Sequence, residues 1–128
     1  MKFSMKEGGF TAQLPYGQLD VSGDEQYGFR PYQLLTASIA VCSGGVLRKI
    51  LEKKRMNVED IEINTNVYRN AQEADRIEKV EVHFIIKGKE LSEVQIKKAM
   101  ELTRKNCSMV QSVIPVIEVV ETFEIVPV

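Results

Sequence analysis

Pro31-Tyr32-Gln33-Leu34-Leu35-Thr36-Ala37-Ser38-Ile39-Ala40-Val41-Cys42-Ser43-Gly44-Gly45-Val46-Leu47 contains no Asp, Glu, Lys or Arg, in a chain where those residues make up 27% of the total. Pro31 suits the first position of a helix, where its missing N–H is not needed. The helix is expected to run from Pro31 to about Arg55. Its later half is amphipathic, with Val46, Leu47, Ile50 and Leu51 on one face and Arg48, Lys49, Glu52, Lys53 and Lys54 on the other. The first half is apolar nearly all round, which requires enclosure on most sides. In a chain of 128 residues its own strands scarcely suffice, and a homodimer is the simplest cover.

Before this helix, Phe3, Met5, Phe10, Ala12, Leu14, Leu19 and Val21 alternate with polar neighbours, interrupted at Gly8-Gly9 and Pro15-Tyr16-Gly17. That period of two predicts a three-stranded antiparallel meander, followed by a loop over 22–29. After it, Ile61, Ile63, Thr65 and Val67 alternate with polar residues, as do Val80, Val82, Phe84 and Ile86 beyond a loop at Asn70–Asp75. Ser92 with Gln95 marks the start of a second helix through about Lys105, its inner face holding Ile96, Ala99, Met100 and Thr103. Asn106, Cys107 and Ser108 break that helix, and Met109–Ile114 suggests one further turn. A last strand is expected from about Val116 to Val126, with Ile117, Val119, Phe123 and Ile125 inward. This order predicts an α+β fold, mainly antiparallel sheet packed on helices, in one domain spanning 1–128.

With 17 basic and 18 acidic residues, the chain lacks the basic excess of a nucleic-acid binder. Two cysteines do not make a disulfide framework. The opening MKFSMKEGGF has no signal-peptide apolar core, and the uncharged run is shorter than the ~20 residues a membrane span needs. The expectation is a cytoplasmic protein with neither membrane nor nucleic-acid partners. In that reducing compartment a cysteine pair is more often redox-active or incidental than structural.

Cys42 reads either as a small buried hydrophobe or as a reagent kept from water. An ordinary thiol is only slightly ionised at neutral pH, and apolar burial lowers that fraction further. A reactive Cys42 therefore needs a cationic or hydrogen-bonding partner. Its own helix N-terminus, three turns away, is too far. Gly44-Gly45 cost helix propensity, which points either to close helix–helix contact or to room for a ligand beside the sulfur. Cys107 can resolve Cys42 only if the Cα atoms come within ~7 Å, which spacing alone leaves open. His83, the only histidine, falls on the polar side of its strand. One His and two Cys argue against a zinc site, and no cofactor-binding loop is present.

The segment Arg30-Pro31-Tyr32-Gln33-Leu34-Leu35 through Cys42-Ser43 resembles the Pro-x-x-Leu-Leu…Cys helix of the OsmC/Ohr family, the osmotically inducible and organic-hydroperoxide-resistance proteins. Asn106-Cys107-Ser108-Met109-Val110 resembles that family's second-cysteine segment, and the element order matches along nearly the whole chain. The resemblance implies an intertwined homodimer with two active sites at the interface. It also implies a thiol peroxidase, with Cys42 attacking an organic hydroperoxide, Cys107 resolving the sulfenic acid, and a dithiol reductant closing the cycle. No metal or cofactor is implied.

The best-studied members carry a glutamate where Tyr32 stands and an arginine where Phe10 stands. Arg30, Tyr32, Phe10 and Ser43 are therefore the candidates for lining the pocket or activating the thiol. Arg30 lies about 18 Å along a straight helix from Cys42, so on this reading it would serve the other subunit's Cys42. The alternative is a dimeric binding module of the same fold, holding a small apolar or thiol-reactive ligand without turnover.

Overall fold

The computed structural model describes residues 1–128, which divide into two compact units, Met1–Ala37 and Ser38–Val128. In the first, β1 (Ser4–Lys6), β2 (Gly9–Gln13) and β3 (Gln18–Val21) form the expected antiparallel meander. Gly8 takes a left-handed φ of 75° at the β1–β2 turn, and a Cβ there would strike the Tyr27 ring. Only glycine meets both conditions without strain. The Ser22 hydroxyl donates to Gly8 O at 2.6 Å and accepts from Asp24 N–H at 3.0 Å, fixing the loop over 22–29.

The long helix, α1 (Pro31–Lys53), starts at Pro31 as expected. It ends slightly earlier than the expected Arg55. Arg55 adopts a left-handed φ of 56°, and Met56 N–H turns back to Leu51 O at 3.1 Å. This closure satisfies carbonyls that the last turn leaves unpaired.

In the second unit, β4 (Val58–Asn70) and β5 (Arg76–Gly88) form a long antiparallel pair. The chain then passes through α2 (Glu93–Asn106) and α3 (Ser108–Val113) to β6 (Glu118–Pro127), which pairs parallel with β5. A parallel partner needs such a crossover, and it leaves β5 central in the order β4-β5-β6. Ser92 caps α2 by accepting from Gln95 N–H at 3.3 Å. The buried residues of α2 are Ile96, Ala99, Met100 and Thr103, the face that the sequence predicts.

The core joins Ile39, Leu47 and Leu51 of α1 to Val80, Val82, Phe84 and Ile86 of β5, Ile96 and Ala99 of α2, and Val119 of β6. By length and composition α1 is apolar enough to cross a membrane. Its fully buried Ile39, Leu47 and Leu51 make it the core helix of this sheet unit.

The expected enclosure of α1 is not met within one chain, since Val41 is 65% exposed and Ala37, Ser38 and Gly45 are also open. The glycine pair divides its duties. A Cβ on Gly44 would lie 2.6 Å from Ile63 Cδ1, so Gly44 lets the helix approach β4, a helix–strand contact and not a helix–helix one. A Cβ on Gly45 would meet nothing within 4 Å.

Candidate functional site

Cys42, at the start of the fourth turn of α1, and Cys107, between α2 and α3, come together. Both are free thiols, Cys42 half-buried and Cys107 fully buried, and they lie within hydrogen-bonding reach of each other. Cys107 is both the residue that closes α2, its N–H reaching Thr103 O at 2.9 Å, and the residue that precedes α3. The first N–H groups of a helix have no intrahelical acceptor, and here they face a sulfur of α1. The Ser108 hydroxyl lies 3.7 Å from Cys42 Sγ.

These donors decide the ionisation of the pair. The Met109 N–H holds the Cys42 pKa below its ordinary value against the opposing effect of burial, helped by the Cys107 thiol and by the side chain and N–H of Ser108. Hydrogen bonds that favour the anion outweigh partial desolvation. Burial pushes the Cys107 thiol up, and the neighbouring Cys42 sulfur reinforces the shift. Of the two thiols Cys42 is thereby the easier to ionise and Cys107 the harder, an order suited to an attacking sulfur beside a protonated partner.

Beneath the sulfurs lies a polar group that alternation alone hides. Ser43 is fully buried, and its hydroxyl donates a short hydrogen bond to Glu121 Oε2. Glu121 occupies an inward position of β6, beside Val82 of β5 and between Val119 and Phe123. Its side chain is only 5% exposed. Arg104 of α2 approaches Glu121 Oε1 at 3.4 Å and donates to Val119 O at 2.7 Å.

Of the sequence candidates, Cys42, Cys107 and Ser43 form this cluster. Arg30, Tyr32 and Phe10 belong to the first unit. There the Arg30 guanidinium stacks 4.8 Å from the Tyr32 ring centroid, and Phe10 stands opposite Val21 and Met5 in the meander, half exposed. His83 lies on the outer face of the sheet, bonded to Thr122 at 2.7 Å and Glu124 at 3.1 Å. No group of three or more His, Cys, Asp or Glu side chains is placed to hold a metal.

Sequence reasoning missed Ser108, the Met109 N–H, Glu121 and Arg104. Two signals were available. The break at Asn106-Cys107-Ser108 opens a new helix with unpaired donors, and Glu121 stands at the inward parity shared by Ile117, Val119, Phe123 and Ile125.

Comparison with known proteins agrees with this architecture. The family model for OsmC-like protein matches residues 22–121. Protein YhfA of Escherichia coli K12 is 24% identical over 97 residues, covering 75% of this chain and 72% of its own. A hypothetical protein from Aquifex aeolicus superposes with a TM-score of 0.88 at 25% identity, covering 99% of this chain and 95% of its own. An organic hydroperoxide resistance protein OsmC from Legionella pneumophila superposes with a TM-score of 0.75 at 17% identity, covering 96% and 93%. The match to the family model covers most of the chain, and with the fold and the paired cysteines on their helices the conclusion is plain: this chain belongs to the OsmC family.

Proposed function

We propose that the protein is a cysteine peroxidase that reduces organic hydroperoxides. The observation that carries the reading is a half-buried free thiol, Cys42, with the Ser108 hydroxyl at the start of α3 3.7 Å from its sulfur and the free Cys107 thiol next to that serine in the chain. The donors of α3 lower the Cys42 pKa, and burial raises that of Cys107. On this reading the Cys42 thiolate attacks the distal peroxide oxygen. The O–O bond breaks, the alcohol leaves with a proton, and Cys42 becomes a sulfenic acid. Cys107 then attacks that sulfur, water leaves, and a disulfide forms. A dithiol reductant restores both thiols. No metal or cofactor enters the cycle. The hydroperoxide-resistance function of the Legionella relative supports the substrate class.

The working form is a homodimer of one OsmC-like domain per chain, in the cytoplasm. Val41, Gly45 and Arg48 of α1 and Ile61 and Ile63 of β4 line a groove of about 510 Å³ with Glu52, Glu59 and Asp60, a surface of mixed polarity that a second copy suits. Arg30, Tyr32 and Phe10 are assigned to the substrate pocket of the dimer, with Arg30 serving the other subunit's Cys42.

Steady-state reduction of cumene hydroperoxide with a dithiol tests the proposal. Wild type is expected to turn over and Cys42→Ser to fall to the uncatalysed rate. Equal rates for the two proteins would end the enzyme reading and return the non-catalytic binding module.

A further inference from the structure

A carboxyl on the inner face of a sheet needs a reason, because burying it without full pairing is costly. The side chain of Glu121 is 5% exposed and has Val82 beside it in β5. Its two oxygens meet different helices. Oε2 accepts from the hydroxyl of Ser43, the residue of α1 that follows Cys42. Oε1 faces Arg104 Nη1 at 3.4 Å, and the same nitrogen donates to Val119 O of β6 at 2.7 Å. Arg104 stands in the last turn of α2, just before Cys107. Gln111 of α3 closes the corner that follows. Its side chain donates to Arg104 O at 3.0 Å, and its backbone N–H donates to Cys107 O at 3.0 Å. Next in the chain, Ser108 meets Cys42 Sγ at 3.7 Å. These links form a ring, from Cys42 through Ser43 to Glu121, on to Arg104 and Cys107, and back through Ser108.

We infer that Glu121 is a positioning residue for the cysteine pair, joining the helix that carries Cys42 to the helix end that carries Cys107 so that the two sulfurs meet in bonding register. The apolar core that packs α1 and α2 on the sheet is non-directional. A hydrogen bond to a carboxylate has a set length and direction, and Glu121 makes one toward each cysteine-bearing element. A disulfide tolerates little error, with its Cα atoms about 4.4–6.8 Å apart. A misplacement of about 1 Å at reacting atoms costs on the order of a hundredfold in rate. This role rests on the peroxidase reading and names what sets up its resolving step, but it is tested without hydroperoxide.

Oxidised glutathione serves as the oxidant. Cys42 attacks one of its sulfurs, the glutathione S–S bond breaks, and one reduced glutathione leaves. Cys107 then attacks the Cys42 sulfur of the mixed disulfide and displaces the second. Two electrons pass to glutathione, and the protons of the two protein thiols end on the two glutathione thiols. Equilibration across glutathione ratios, read by mass spectrometry after acid quenching, gives the effective concentration of Cys107 at Cys42. Ser43→Ala cuts the arm to α1, and Arg104→Met cuts the arm to α2. Each is expected to lower the effective concentration at least about fivefold. Arg104→Lys keeps a cationic donor and should stay within about twofold of wild type. A merely structural role costs the reduced and oxidised proteins equal stability and by linkage leaves this equilibrium unmoved. Wild-type values in Ser43→Ala and Arg104→Met overturn the inference, as does a fall in only one of them, since the carboxyl must hold both arms. An Arg104→Lys protein as weak as Arg104→Met overturns it too. If Ser43→Ala fails to fold, Arg104→Met against Arg104→Lys decides, because that side chain is 41% exposed. Variants that behave as expected in a protein that leaves hydroperoxide intact refute the peroxidase proposal alone.

Discussion

Cys42 Sγ stands 3.7 Å from the Ser108 hydroxyl, a contact between residues 66 apart in sequence. It exists because the fourth turn of α1 meets the first turn of α3. That crossing gives Cys42 what its own helix cannot, a set of unpaired N–H donors.

Ser108→Pro should test that set directly. Proline is well tolerated at a first helical position, and Cys107 already has the extended backbone that a residue before proline requires, with φ −81° and ψ 109°. The variant loses both the N–H and the hydroxyl. Alkylation of Cys42 at neutral pH is expected to slow about threefold to tenfold, in line with roughly 1 kcal/mol of lost hydrogen bonding. An unchanged rate would show that the Ser108 hydroxyl and N–H do not govern the thiol and would leave the Met109 N–H as its main donor.

The same polarisation predicts a pH dependence of stability. A thiol whose pKa is lower folded than unfolded adds stability above the unfolded value, and that contribution fades as pH falls through the folded one. For Cys42 the unfolded end of the window is the ordinary 9.0, with the folded value below it. Across that window wild type should gain stability over Cys42→Ser as pH rises. Chemical denaturation of both proteins measures it, and parallel profiles would contradict the lowered pKa.

Cys107→Ser should convert a cycling catalyst into a single-use one. Without the resolving thiol, Cys42 sulfenic acid persists and takes up a second oxidising equivalent to reach sulfinic acid. Mass spectrometry after excess cumene hydroperoxide is expected to show two added oxygens on Cys42 in the variant and an internal disulfide in wild type.

The glycine pair should respond asymmetrically to alanine. Gly44→Ala sets a methyl 2.6 Å from Ile63 Cδ1, so Ile63 must shift. A crowding cost of about 1–3 kcal/mol is expected to meet or exceed the gain of about 1 kcal/mol in helix propensity. Gly45→Ala meets nothing within 4 Å in one chain and should stabilise the isolated subunit by about 1 kcal/mol. Thermal melts at low protein concentration separate the two.

Val41→Asp probes the proposed dimer. Val41 is 65% exposed at the edge of the groove between α1 and β4. A carboxylate placed against a second copy should weaken association at least about thirtyfold, as loss of a central apolar contact does, without disturbing the subunit core. Sedimentation equilibrium reads this, and an unchanged dimer would move the interface elsewhere.

Much of the fold was legible because local patterns and burial agreed. Pro31 opened α1, Ser92 opened α2, and the inner face of α2 followed from its period of 3.6 residues. The alternation in β5 matched its buried Val80, Val82, Phe84 and Ile86. The family resemblance carried by the two cysteine segments pointed to the same architecture. Two features ran against local reading. Arg55 ended α1 through a left-handed backbone without glycine, and Glu121 sat inward in β6 where alternation promises an apolar side chain.

What the sequence by itself determined was the type and order of the elements and the pair of cysteines on them, because hydrophobic period and helix caps act over a few neighbouring residues. The meeting of Cys42 with Cys107, the donors that polarise them and the carboxyl beneath Ser43 were decided only by the tertiary structure. Those contacts join α1, α2, α3 and β6 across tens of residues, and a thiol's ionisation depends on which charges and dipoles surround it in space, not on its neighbours in the chain.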